Sequence, residues 1–218
     1  MKKALLVVFC MALFAATSFA KGLGIYGKLD IGYAKGSARV NVNEPYYEHS
    51  GRVGFHGFEA MPAIGFCPEA TSFPSQPFDL TFEAALDLIF ADSSYSDWYG
   101  TNVTVINPSA TAFFNWHFEN TSSKFLKNFV PYGGAGVSFP IQMVDFSYAS
   151  RVYDENGKFT GEYIRRSYSS TVVGLDLVFL LGARYAFTEK FEVNAENGFN
   201  CISMNNFFFR VGALYRFK

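Results

Sequence analysis

The side chains best suited to acid–base chemistry are three histidines, His49, His56 and His117. Nucleophilic catalysis by a serine needs a histidine base in contact with it and a carboxylate that orients the base. His117 has no serine within two residues, and Ser109, the serine on the same stretch, is too distant along an extended chain. The sequence therefore predicts no catalytic residues and a protein that is not an enzyme.

Two further patterns resemble cofactor or metal sites. Gly22-Leu23-Gly24-Ile25-Tyr26-Gly27 formally matches the dinucleotide-binding motif, but that motif needs a strand before it and a helix after it. Here an alternating pattern runs straight through, so we interpret these glycines, like those of 133–136, as part of twisted strands. Neither Cys67 nor Cys201 lies near a histidine, so no zinc-type spacing appears. No cofactor and no metal site are predicted.

Charged residues recur at alternate positions within otherwise apolar stretches. If these stretches are strands, the charges face one side together, and buried charges must pair because unpaired ones are costly. We expect Lys28 and Arg210 to pair with Asp30, Glu83 or Glu196. These inward charges form a predicted network that either packs the interior as structural ion pairs or lines a narrow cation-preferring pore. Its members are Lys28, Asp30, Glu83, Asp87, Asp176, Arg184, Glu196 and Arg210.

Segments rich in tyrosine form a second group of candidate residues. Tyrosine, tryptophan and arginine are enriched where proteins bind one another, although tyrosine also belts membrane interfaces without any binding role. The predicted surface-binding residues are Tyr46, Tyr47, Trp98, Tyr99, Arg165 and Arg166.

The elements that must position these residues are strands, because apolar residues alternate with a period of two. We predict eight strands, with Pro62 implying a bulge or irregularity in the second. Two segments, 52–67 and 129–143, alternate less cleanly; the other six show the pattern clearly. Those six segments are Leu23–Ala34, Phe78–Ala91, Ile106–Phe118, Leu175–Phe187, Phe191–Glu196 and Phe207–Phe217.

The first twenty residues are typical of a cleavable signal peptide. Lys2 and Lys3 precede the uncharged run Ala4–Ala16, and Ser18-Phe19-Ala20 supplies small residues at the cleavage positions. An N-terminal anchor is the alternative. We predict residues 1–20 as signal peptide and 21–218 as the barrel domain, exported through the general secretory pathway.

Composition narrows the class of protein. Aromatic residues make up 19% and charged residues 17% of the chain, with a net charge of −1, so nucleic acid is not an expected partner. Downstream of the signal peptide no apolar run is long enough for a membrane-spanning helix. An eight-stranded antiparallel up-and-down transmembrane β-barrel explains these facts together, because its strands need apolar residues only at alternate positions. A soluble antiparallel sandwich is the alternative.

Connections of alternating length orient the barrel. Short turns are expected at 68–77, 119–128 and 188–190, and long external loops at 36–50, 92–103, 145–169 and 198–205. Asn156-Gly157 predicts a hairpin tip in the third external connection. Both ends of the barrel domain then face the periplasm.

Three stretches of the chain resemble the small bacterial outer-membrane β-barrel family that includes the OmpA transmembrane domain and the OmpX- and OmpW-like proteins. These stretches are 129–137, 181–191 and 212–217, the last ending at Phe217 with Lys218 after it. The resemblance implies the outer membrane of a diderm bacterium, outer-membrane lipid as surroundings, and recognition of the last strand by the barrel-assembly machinery. For function it leaves open a structural or surface-interaction role, a narrow channel for small solutes or hydrophobic compounds, and an adhesin that binds a host or extracellular ligand.

Overall fold

The chain forms a closed, eight-stranded antiparallel β-barrel. The computed structural model describes residues 24–44, 47–68, 77–96, 99–118, 121–154 and 156–217. The strands are β1 (Gly24–Glu44), β2 (Tyr47–Cys67), β3 (Phe78–Ser96), β4 (Tyr99–Trp116), β5 (Phe129–Ser138), β6 (Ile141–Tyr153), β7 (Phe159–Val173), β8 (Asp176–Ala186), β9 (Phe191–Asn200) and β10 (Asn206–Arg216). A five-residue helix, α1 (Lys124–Asn128), precedes β5.

Ten segments make eight strands because two of the strands are interrupted. β5 and β6 are one strand, since both pair with β4 in one unbroken register, and β7 and β8 form the next in the same way. Pro140 has no N–H and breaks the ladder locally. The gap is bridged by the Phe139 N–H, which donates to Pro108 (2.9 Å), and by the Gly174 N–H, which donates to Pro140 (3.0 Å).

The barrel closes where the first strand meets the last. β1 and β10 pair from Tyr26 opposite Arg216 to Lys35 opposite Phe207. Closure satisfies the backbone groups that a sheet edge would leave open. The predicted fold is confirmed.

Pro62 does not shift the register of the second strand. It faces Leu29 of β1 in a continuous ladder, and the pairing of β2 with β3 lapses after Ala60 and resumes at Ala63 in the same register. The missing N–H of proline removes a bond without inserting a residue, so no bulge forms.

The prediction of long loops is wrong for the first two of the four connections, which are paired strand, whereas the third is the hairpin that Asn156-Gly157 predicts. β1 and β2 stay paired to Glu44 opposite Tyr47, β3 and β4 to Ser96 opposite Tyr99, and β6 and β7 to Tyr153 opposite Phe159. The inward residues of these segments are apolar, as at Ala38, Phe55 and Val103, and the outward residues are polar. The alternation is therefore reversed relative to the middle of the barrel, and the antiparallel hydrogen bonds continue through it. The third hairpin turns at 154–158, where Gly157 has a positive φ of 74°.

Side chains on the two faces of the wall differ sharply. The outer face carries exposed apolar residues such as Leu29, Phe90 and Leu181, the last 67% exposed, whereas the interior is filled. Toward the hairpin tips the interior packing is apolar and includes Phe55, Met204 and Phe208; charged residues occupy the middle. No helix in the described part of the chain is long and apolar enough to cross a membrane.

Candidate functional site: the charged lumen

Seven charged side chains from five strands meet inside the barrel, and we call them the lumen cluster. Each stands at an inward position of its strand, so pairing around the barrel places them at similar height; Arg210, for example, faces Glu196 directly across the β9–β10 pair. Their side chains are at most 4% exposed. The members are Lys28 and Asp30 of β1, Glu59 of β2, Glu83 and Asp87 of β3, Glu196 of β9 and Arg210 of β10.

Lys28 is surrounded by three carboxylates. Its Nζ lies 3.0 Å from Asp30 Oδ2, 2.9 Å from Glu83 Oε1 and 3.4 Å from Glu196 Oε2. A buried ammonium group is tolerated only when acceptors replace its lost water, and the three carboxylates meet that need. Lys28 therefore ties its own strand to β3 and β9.

Arg210 joins the other side of the cluster. Its Nε and Nη2 lie 2.7 and 2.6 Å from Glu59 Oε1, its Nη1 lies 3.3 Å from Glu196 Oε1, and its Nη2 lies 3.4 Å from Asp87 Oδ2. The guanidinium also stands 3.7 Å from the centre of the Phe208 ring. Glu196 thus bridges the two cations, since one oxygen faces Lys28 and the other faces Arg210.

Arg184 is held by aromatic rings. Its guanidinium carbon lies 4.5 Å from the ring centre of Tyr132 and 5.7 Å from those of Tyr26 and Phe113. Among the described residues no carboxylate forms an ion pair with it. The two phenols connect this aromatic cage to the lumen cluster, because Tyr26 donates to Glu83 (3.1 Å) and Tyr132 donates to Glu196 (2.8 Å).

Asp176 does not join the lumen cluster either, because it holds the β9–β10 connection in place. Oδ1 accepts from the N–H groups of Ile202 and Ser203, both at 2.6 Å, and Oδ2 accepts from Met204 N–H (2.9 Å) and Ser203 Oγ (2.8 Å). The segment 201–205 consequently folds inward and buries Met204 completely. One carboxylate closes this mouth of the barrel.

His117 and Asp79 lie at the end of the barrel opposite the 201–205 segment. His117 Nε2 lies 2.9 Å from Asp79 Oδ2. Ser109 lies on the same extended stretch, roughly 26 Å away at about 3.3 Å per residue, so the three do not form a hydrolase set. Cys67 and Cys201 stand at opposite ends of the barrel and are not bridged to each other. Within the described ranges no three His, Cys, Asp or Glu side chains converge as a metal site.

Four of the six surface-binding candidates lie within the described residues. Tyr46 and Trp98 lie outside the described residues. Tyr47 begins β2 and Tyr99 begins β4, directly after two of the tips, and Arg165 and Arg166 are adjacent positions of β7. The backbone thus distributes the four described positions over three separate hairpins.

Several residues of the charged lumen are absent from the network predicted from the sequence. Glu59 follows a glycine-rich stretch of uncertain register, and Tyr26, Phe113 and Phe208 are aromatic residues at inward positions. The available signal was glycine opposite an inward ring: a Cβ on Gly65 would lie 2.1 Å from the Tyr26 ring, and one on Gly182 would lie 2.6 Å from the Tyr132 ring. Glycine at these sites leaves the space that the two tyrosines occupy.

As a whole, the charged lumen can hold strands together but offers no open passage. Its cations contact acids from neighbouring and opposite walls, and the interior of an eight-stranded barrel is just wide enough for side chains to fill. No two side chains of the lumen cluster are arranged as a catalytic nucleophile and its base would be. The chemistry supported by this geometry is structural ion pairing.

Comparisons with known proteins agree on the fold. No protein-family model and no curated protein sequence matches the chain. Among solved structures, Neisserial surface protein A superposes with a TM-score of 0.55 at 20% identity and covers 90% of this chain and 100% of its own. Ail, the attachment invasion locus protein of Yersinia pestis, has a TM-score of 0.44 at 17% identity over 89% of this chain and 99% of its own. The superposition on Neisserial surface protein A shows that the chain has the fold of the small bacterial outer-membrane β-barrels.

Proposed function

We propose that this chain is an integral outer-membrane protein of a diderm bacterium that presents extended β-hairpins at the cell surface for interaction with a host or extracellular ligand. In this proposal residues 1–20 direct export through the general secretory pathway and are removed. Residues 21–218 form the barrel, and the barrel-assembly machinery recognises the strand that ends at Phe217. The closed lumen anchors the protein and conducts no solute.

The observation that carries the proposal is an apolar outer belt with a charged rim, beyond which the hairpins continue. On β1 the outward residues Leu29, Ile31 and Tyr33 are each at least half exposed. The next outward position is Lys35, and the strand continues to Glu44. Outward residues change from apolar to polar on other strands at this rim as well, at the exposed residues His56, Asp92, Asn102 and Asp145.

The opposite rim supports the assignment of the membrane interfaces. Tyr185 and Phe187 stand with ring centres 5.1 Å apart, and Phe125 of α1 lies 5.4 Å from Tyr185. Exposed aromatic rings backed by lysines such as Lys124 and Lys190 are typical of a bilayer edge. Connections are short here between β8 and β9, as in the periplasmic turns of such barrels.

The channel alternative finds no support in the lumen. A pore needs a continuous path, whereas Lys28 and Arg210 fill the middle and the segment 201–205 folds over the mouth. Surface interaction is favoured because the β1–β2 and β6–β7 hairpins extend well beyond the belt.

Cysteine labelling on intact cells tests topology and location together. In a chain with Cys67 and Cys201 replaced by Ser, we expect a membrane-impermeant maleimide to label Lys158→Cys at the β6–β7 tip. The matched variant Lys190→Cys, in the turn between β8 and β9, should react only after the outer membrane is permeabilised. The parent without an added cysteine is the control. Labelling of Lys190→Cys alone on intact cells would show that the barrel has the opposite orientation. Labelling of neither variant before permeabilisation would argue against surface display.

A cell-attachment assay tests the interaction role separately. Cells that display the chain should bind host cells or matrix, and Trp98→Ala with Arg165→Ala and Arg166→Ala should abolish that binding. Labelling at Lys158→Cys in the same triple variant verifies display. Unchanged attachment would remove these residues as the binding surface and leave a structural role.

A further inference from the structure

A small cavity lies beside the lumen cluster. It has a volume of about 10 Å³, enough for roughly one water-sized occupant. Asp87 of β3 and Asn107 of β4 face each other across the strand pair, and Asn200 of β9 and Arg210 of β10 also line the cavity. The other polar residues of its wall are Glu83, Ser109 and Thr111. The cavity therefore lies where β3, β4 and β9 bring oxygen atoms together beside the Arg210 guanidinium.

The free polar atoms of this wall are all acceptors. Asp87 Oδ1, Asn107 Oδ1 and Asn200 Oδ1 receive no hydrogen bond from any residue that the structure describes. Each of the three residues is at most 2% exposed, so bulk water does not satisfy these atoms. A buried acceptor without a partner is costly, and three such atoms around one cavity select an occupant that offers positive charge.

The charge of the surroundings selects the same kind of occupant. The lumen cluster and Arg184 together contain five carboxylates but only three cations. An unbalanced negative charge in a region of low dielectric attracts a compensating cation. Only one free carboxylate oxygen faces the cavity, and its other oxygen ligands are neutral amides, which favours a monovalent ion over a divalent one.

We propose that this cavity binds a small monovalent cation of the size of Na⁺, with Asp87 Oδ1, Asn107 Oδ1 and Asn200 Oδ1 as ligands. The ion neutralises part of the excess negative charge and links β3, β4 and β9 through oxygen atoms. This site is independent of the proposed surface role, because it concerns only the interior of the barrel.

Thermal unfolding in detergent tests the proposal. The midpoint of the gel-mobility change on heating is measured while NaCl replaces choline chloride at constant ionic strength. A ligand that binds only the folded state raises the midpoint by mass action, so we expect a rise of a few degrees that saturates. Asp87→Asn should lose this Na⁺ dependence. Asp92→Asn, which removes an exposed carboxylate from the same strand, should keep it.

A second variant and a direct measurement cover the case in which Asp87→Asn does not fold. Asn107→Leu removes one ligand without changing the charge, and it should raise the Na⁺ concentration for half the effect by at least tenfold. A crystal structure of the unaltered protein grown in NaCl should show an occupant within direct coordination distance of the side-chain oxygens of Asp87, Asn107 and Asn200. A midpoint independent of Na⁺, or an occupant only at hydrogen-bond distances, would overturn the site and leave a water molecule or a shared proton in its place.

Discussion

At the scale of single residues, the lumen cluster makes stability depend on a few buried charges. Lys28 contacts three carboxylates from three strands, whereas Lys35 lies on the same strand and is exposed. Removing one partner of a buried ion pair leaves the other partners uncompensated, which costs about 3–5 kcal/mol. We therefore expect Lys28→Met to lower the free energy of unfolding by that amount in a urea titration of protein refolded in lipid vesicles.

Lys35→Met is the matched control, because it makes the same chemical change on the outer face of β1. Its effect should stay within about 0.5 kcal/mol, as for other surface changes. Equal effects of the two substitutions would show that the ion pairs of Lys28 contribute no net stability.

At the scale of elements, glycines in β2 decide how closely an aromatic side chain can lie against the barrel wall. A Cβ on Gly65 would stand 2.1 Å from the Tyr26 ring, while one on Gly54 of the same strand meets nothing closer than 3.9 Å. Forcing extra atoms into a packed interior typically costs about 1–3 kcal/mol. Gly65→Ala should therefore destabilise the barrel by that amount in the urea titration, and Tyr26 should lose its hydrogen bond to Glu83.

Gly54→Ala tests whether the effect comes from packing. It replaces the same residue type in the same strand without a steric conflict, so its stability should match or exceed that of the original chain. If Gly65→Ala is as stable as Gly54→Ala, the Tyr26 ring does not occupy the position described.

At the scale of the whole molecule, closure predicts cooperative resistance to detergent. β1 and β10 pair over ten residues from Tyr26 to Lys35, so no edge strand is open to attack. We expect the refolded chain to migrate compactly on a detergent gel when unheated and more slowly after boiling. If the refolded chain shows strand by circular dichroism but migrates equally before and after boiling, the result would contradict a closed barrel and favour the soluble sandwich.

The sequence by itself determined the strands that form the barrel wall. Alternation such as Leu29, Ile31 and Tyr33 against Lys28 and Asp30 identified strands, their inward faces and their number, because the two faces of a strand meet different surroundings. It also identified which charged residues point inward. These are local properties, readable from neighbours two positions apart.

Only the tertiary structure decided which inward residues meet. Asp176 and Arg184 have the same alternating pattern as Glu196 and Arg210, yet one holds a loop and the other stands in an aromatic cage. The extended hairpins also escaped the pattern, because their alternation is reversed: inward residues such as Phe55 and Val103 are apolar and the outward ones are polar. Contacts across a barrel depend on the register of all eight strands together, and no local period contains that register.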